Sequence, residues 1–134
     1  MLKKIEHIGI AVKSISETQH VFESLLGTAC YKIEEVASEG VTTAFFQIGE
    51  SKIELLEATQ PDSPIAKYLE KRGQGVHHLA FDVENIEHEI ERLTNEGFVL
   101  IHHTPKDGAD NKKIAFLHPK STEGILVELC QEKS

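Results

Sequence analysis

The stretch HIGIAVKSI, running from His7 to Ile15, returns as HLAFDVENI from His78 to Ile86. In both copies a histidine opens an alternating apolar strand, a helical segment rich in acidic residues follows, and a glycine (Gly27, Gly97) ends it. Each copy also closes on a hydrophobic strand with a carboxylate inside it, Glu54 in KIELLEA and Glu128 in ILVELCQ. The chain therefore reads as two versions of one module. Two histidines and two carboxylates, given in matched pairs by two repeats, are the donors that a metal site at a pseudo-twofold axis needs.

Working outward, Ile5 to Val12 is expected as a strand. Ser16 with Gln19 forms a capping-box start for a helix that carries Val21, Phe22, Leu25 and Leu26 toward the core, and Gly27 ends that helix. Cys30 to Val36, Val41 to Ile48 and Lys52 to Ala58 read as three more strands, with turns at Glu39-Gly40 and Gly49-Glu50-Ser51. This makes a βαβββ module over residues 1–59. In the linker, residues 60–75, Asp62 or Ser63 caps a short helix that Pro64 opens and Gly73 closes. The second module, residues 76–134, repeats the order. Val76 to Val83 is a strand, a helix places Ile86, Ile90 and Leu93 at core spacing, and strands follow at Phe98 to His102, Lys113 to Leu117 and Gly124 to Leu129. A module that cannot bury its sheet face alone pairs with its copy. The expected fold is α+β: one domain over residues 1–134, in which two βαβββ modules form a curved, eight-stranded, half-open sheet around a metal site, with helices outside.

A chain of 134 residues carries one real core, and 40% hydrophobic with 27% charged residues is the composition of a soluble globule. The net charge of −8 argues against general nucleic-acid binding, which needs a basic footprint. Between Thr104 and Lys120, however, Lys106, Lys112, Lys113 and Lys120 face only Asp107 and Asp110. That stretch is either a solvated hairpin or a local attractor for an anionic substrate. Cys30 and Cys130 lack a CxxC spacing and fit reduced thiols, and no leader or membrane-length apolar run occurs, so a cytoplasmic protein without membrane association is expected. Neither a P-loop nor a GxSxG elbow is present.

Alternation selects among the histidines, because residues two apart in a strand share a face. His7 shares its face with Gly9 and Ala11, and His78 shares its face with Ala80 and Asp82, so the register selects His78 over His77. The small neighbours leave room for a ligand. A lone histidine near a strand end is ordinarily a hydrogen-bonded structural group, and a lone glutamate between apolar residues ordinarily points to solvent. The matched placement of both pairs outweighs those readings. His118, His102, His103, His20 and His88 are expected in surface roles. Four N/O ligands without sulfur suit Co, Ni, Mn, Fe or Zn. Such an ion polarises a carbonyl and acidifies the neighbouring C–H, so proton chemistry beside a carbonyl is the expected reaction type.

HIGIAV from His7, KIELLE from Lys52, DSPIAKYLEKRGQGVHHLAFDV from Asp62 to Val83 and FLHPKSTEGILVELCQ from Phe116 to Gln131 together resemble the vicinal oxygen chelate superfamily. The last two stretches resemble its methylmalonyl-CoA epimerases in particular. That resemblance implies an isomerase with a divalent metal, cobalt favoured, held by His7, Glu54, His78 and Glu128. It implies an acyl-CoA substrate whose α-proton is removed and returned, with Glu128 as acid/base, and a homodimer. It also implies contacts from Lys120, Lys106 and Lys113 to the CoA phosphates or the acyl carboxylate. Thr43, in GVTTAF, stands where some relatives carry a glutamate that serves as the second base, and threonine cannot take that role. Glyoxalase I, which acts on a glutathione hemithioacetal with the same ligand types, is the nearest alternative. A metal-free small-molecule binder is the next.

Overall fold

The computed structural model describes residues 1–133 and divides the chain into two units, His7–His77 and Met1–Glu6 with His78–Ser134. In the first, β1 (Leu2–Ala11, counted from His7) leads into α1 (Ile15–Leu26). β2 (Lys32–Val36), β3 (Val41–Ile48), β4 (Ser51–Ala58) and α2 (Pro64–Arg72) follow. β4 runs parallel to β1 and antiparallel to β3, which pairs antiparallel with β2. In the second unit β5 (Gly75–Val83, counted from His78) leads into α3 (Ile86–Asn95), followed by β6 (Lys106–Asp107), β7 (Lys112–Leu117) and β8 (Val127–Glu132). β8 runs parallel to β5 and antiparallel to β7, which pairs antiparallel with β6. The same connection pattern occurs twice. The expected α+β fold of two βαβββ repeats is thus the fold observed, with eight strands and three α-helices among the described residues.

Helix α1 starts two residues earlier than the sequence reading placed it. Its N-cap is Ser14, whose side chain accepts the Glu17 N–H, so S-x-x-E from Ser14 is the operative cap and Ser16 lies inside the helix. The face that packs inward is narrower than the sequence suggests. Ile15 is buried, with Phe22 and Leu26 against the same cluster, whereas Val21 (52% exposed) and Leu25 (71%) face outward. Gly27 takes the left-handed conformation and closes the helix as expected. Ser63, rather than Asp62, caps α2 by accepting the Ala66 N–H.

In the second repeat, Phe98 to His102 is not a strand. Leu100 makes an isolated bridge to Leu117, and the regular ladder to β7 shrinks to the two residues of β6. The reason is local: the Phe116 N–H donates to the His102 Nδ1 rather than to a backbone carbonyl. Leu100 is buried while Val99 and Ile101 are exposed, so the side chains still alternate there. β8 likewise begins at Val127 instead of Gly124, because Glu123 and Gly124 have φ of 57° and 90° and close a turn.

Each unit has its own apolar clusters. Val12, Ile15, Ala44, Phe46 and Leu55 join α1 to its strands, and Ala11, Val41, Leu56 and Ile65 join α2 to the other sheet face. In the second unit Ile86, Ile90 and Leu93 of α3 pack on Leu117 and Leu129. Ala80, Ile114 and Cys130 cluster separately, with Phe116 partly buried against them. Consequently Glu54 and Glu128 lie on the sheet faces away from α1 and α3, respectively, opposite to Leu55 and Leu129. Among the described residues no helix is long and apolar enough to cross a membrane.

Candidate metal and active site

Parallel pairing brings each histidine to a glutamate by the same offset. On β1, Gly9 is the register partner of Glu54, and His7 stands two residues before it. On β5, Ala80 is the register partner of Glu128, and His78 stands two residues before it. Residues two apart share a face, and glycine and alanine place nothing bulky in front of the carboxylates. The result is two buried pairs: His7 Nδ1 lies 3.2 Å from Glu54 Oε2, and His78 Nε2 lies 2.9 Å from Glu128 Oε1. All four residues are only 5–6% exposed.

Burial decides the role of the two acids. An ionised carboxylate taken out of water is costly unless paired, so a strand that merely decorated the surface would turn it outward. Here an imidazole nitrogen meets each one. An imidazole nitrogen and a carboxylate oxygen at each pair are the donor types that Mn, Fe, Co, Ni and Zn accept, so the residues present fit a borderline divalent cation. His77, by contrast, is half-buried and meets the Tyr68 ring edge-on at 5.0 Å, while the Tyr68 hydroxyl donates to the Val76 carbonyl.

The remaining candidates are placed as follows. Lys113 is ion-paired with Glu87 of α3 at 3.1 Å, and its ammonium holds the Glu87 carboxyl below the usual carboxylate value. Lys106 is half-buried and Lys120 exposed. Lys112 is buried, its Nζ 3.9 Å from Glu6 Oε2. Thr43 is 2% exposed and paired in register with Leu56. His20, His88, His103 and His118 are exposed, and His118 accepts the Lys120 N–H at Nδ1. His102 is half-buried and structurally engaged, which its place at the end of an expected strand did not signal. The sequence reading also missed a phenylalanine beside each acid: Phe45 is the register partner of Glu54, and Phe116 of Glu128. The signal was present in the alternation of β3 and β7.

The family model of the Glyoxalase/Bleomycin resistance protein/Dioxygenase superfamily matches residues 6–116. The uncharacterized Bacillus subtilis protein YqjC is 43% identical over 98% of this chain and 94% of its own length. The ethylmalonyl-CoA/methylmalonyl-CoA epimerase of Cereibacter sphaeroides is 38% identical over 98% of this chain and 99% of its own. A solved variant of Streptomyces coelicolor methylmalonyl-CoA epimerase, in complex with 2-nitronate-propionyl-CoA, superposes with a TM-score of 0.95 at 32% identity. That match covers 100% of this chain and 97% of that one. With the doubled βαβββ unit and its paired His–Glu stations, these similarities establish that the chain belongs to the glyoxalase/bleomycin resistance/dioxygenase superfamily and, within it, to the methylmalonyl-CoA epimerase family, isomerases of the racemase/epimerase class.

Proposed function

We propose that this protein interconverts the two epimers of methylmalonyl-CoA, with His7, Glu54, His78 and Glu128 holding one divalent metal ion, cobalt favoured. The observation that carries the proposal is the repeated buried His–Glu pair at identical strand register, in a chain whose relatives act on acyl-CoA thioesters. When bound, a divalent ion supplies Lewis-acid stabilisation of the negative charge that builds as the substrate's α-proton leaves.

The chain's own residues do the proton work. The α-carbon of methylmalonyl-CoA lies between a thioester and a carboxylate, and its C–H pair of electrons passes into the thioester carbonyl as the proton departs. Glu128, buried and acceptor-only when ionised, takes that proton on a carboxylate oxygen. Return of a proton to the opposite face of the planar carbon gives the other epimer. Thr43 offers only a hydroxyl on its strand, so the opposite face is served by a different group. Lys106, Lys113 and Lys120 are assigned to the anionic groups of CoA, and the protein to the cytoplasm as a homodimer. Cys30 and Cys130 are both thiols rather than halves of a disulfide.

The test is deuterium incorporation into methylmalonyl-CoA by one metal-loaded preparation, run beside methylglyoxal plus glutathione. We expect exchange with the acyl-CoA and no isomerisation of the hemithioacetal. Turnover of the hemithioacetal alone would make the protein a glyoxalase instead. Glu128→Gln, isosteric but unable to accept the proton, is expected to lower exchange by at least about 100-fold with the fold intact.

A further inference from the structure

Phe116 occupies an unusual station in the second repeat. Its backbone is in register with Glu128, and its ring meets His78 edge-on at 5.7 Å and 86°. The same ring lies 5.8 Å from that of His102. His102 Nδ1 accepts the Phe116 N–H at 3.1 Å, while the Phe116 carbonyl accepts the Ile101 N–H at 2.7 Å. Both main-chain groups of Phe116 are therefore held by residues 101–102, in the segment where the regular β6 ladder is missing. An Nδ1 that accepts carries no proton, so this contact also selects the His102 tautomer with its proton on Nε2. The first repeat uses the equivalent position in a related way. Phe45 faces Glu54 in register, its carbonyl accepts the Tyr31 N–H, and the Tyr31 ring lies 6.0 Å away.

We propose that Phe116 and His102 are positioning residues for His78: the Phe116 ring fixes the imidazole plane so that Nε2 is directed at Glu128, and His102 fixes Phe116. The inference rests on the reading of His78 and Glu128 as metal ligands. An imidazole can rotate about its χ2 bond, and an edge-on aromatic neighbour limits that rotation through the ring quadrupole and through contact. Departures of the ligand ring from the pair geometry weaken the donor set, as loss of outer partners does at metal sites generally.

The experiment is a cobalt(II) titration of the full chain, read by visible absorption, on wild type, Phe116→Leu, His102→Ala, His102→Asn and Leu100→Ala. Phe116→Leu and His102→Ala are expected to weaken cobalt binding about 10-fold or more and to alter the visible bands, with far-UV circular dichroism unchanged. His102→Asn keeps an oxygen able to accept the Phe116 N–H and is expected to restore most of the affinity. Leu100→Ala removes a buried side chain from the same segment, so it is expected to lower Tm and leave cobalt affinity alone. Wild-type affinity and spectrum in both Phe116→Leu and His102→Ala overturn the proposal, as does equal weakening by Leu100→Ala. A wild-type chain that takes up no cobalt removes the metal reading itself, and the proposal with it.

Discussion

Glu54 and Glu128 stay buried because each has an imidazole within 3.2 Å, and the choice of imidazole follows from strand parity. His78→Ala is expected to lose the metal and His77→Ala to keep it, as measured by elemental analysis of purified protein. The opposite result would place the donor face one residue away. Another buried acid follows different logic. Glu89 is 2% exposed, and the Arg92 guanidinium, 2.9 Å away, holds its carboxyl below the ordinary value. A carboxyl whose folded pKa is lowered contributes stability above its unfolded pKa and loses it as pH falls through the folded one. Denaturation of Glu89→Gln should therefore show its largest deficit against wild type near neutrality, shrinking in acid. A deficit independent of pH would assign the loss to packing. His7, His78 and the two acids were legible in the sequence because duplication marks them twice. Phe116 and His102 were not, because strand periodicity does not state which backbone N–H a side chain will meet.

Helix α1 shows how far patterning alone reaches. Its existence and its Gly27 stop follow from the sequence, but Ser14 with Glu17 and Ser16 with Gln19 both match the capping spacing, and the pattern alone does not choose between them. Ser14→Ala is expected to cost about 1 kcal/mol in chemical denaturation, whereas Ser16→Ala, beyond the cap, should cost well under that. Val21→Lys and Leu25→Lys should change stability by no more than about 0.5 kcal/mol, since both side chains are exposed. In α3 the spacing was read correctly, and Ile90→Ala should cost about 2–5 kcal/mol because it empties a filled cluster. The segment at 98–102 was misread as a strand for a physical reason. Alternation reports which side chains turn inward, and a strand additionally needs backbone partners, one of which His102 replaces.

One ion per chain is the expectation if the two repeats serve a single centre, and two if each His–Glu pair acts alone. Metal content per protein chain separates these outcomes. With a shared ion, His7→Ala in one repeat and His78→Ala in the other should each abolish the thermal stabilisation that added cobalt gives wild type. That stabilisation is about 2.7 kcal/mol at a hundredfold excess over Kd. Loss in only one of them would show that the pairs are independent. The repeat, the α+β class, the parity of the histidine strands and the choice of the four residues proposed as donors came from the sequence alone, because periodicity and duplication are properties of residue order. The operative helix cap, the missing ladder at 98–102, the His–Glu distances and the aromatic neighbours of the acids were decided by tertiary structure. Each depends on which of several competent partners lies nearest once the strands are in register, and residue order does not encode that distance.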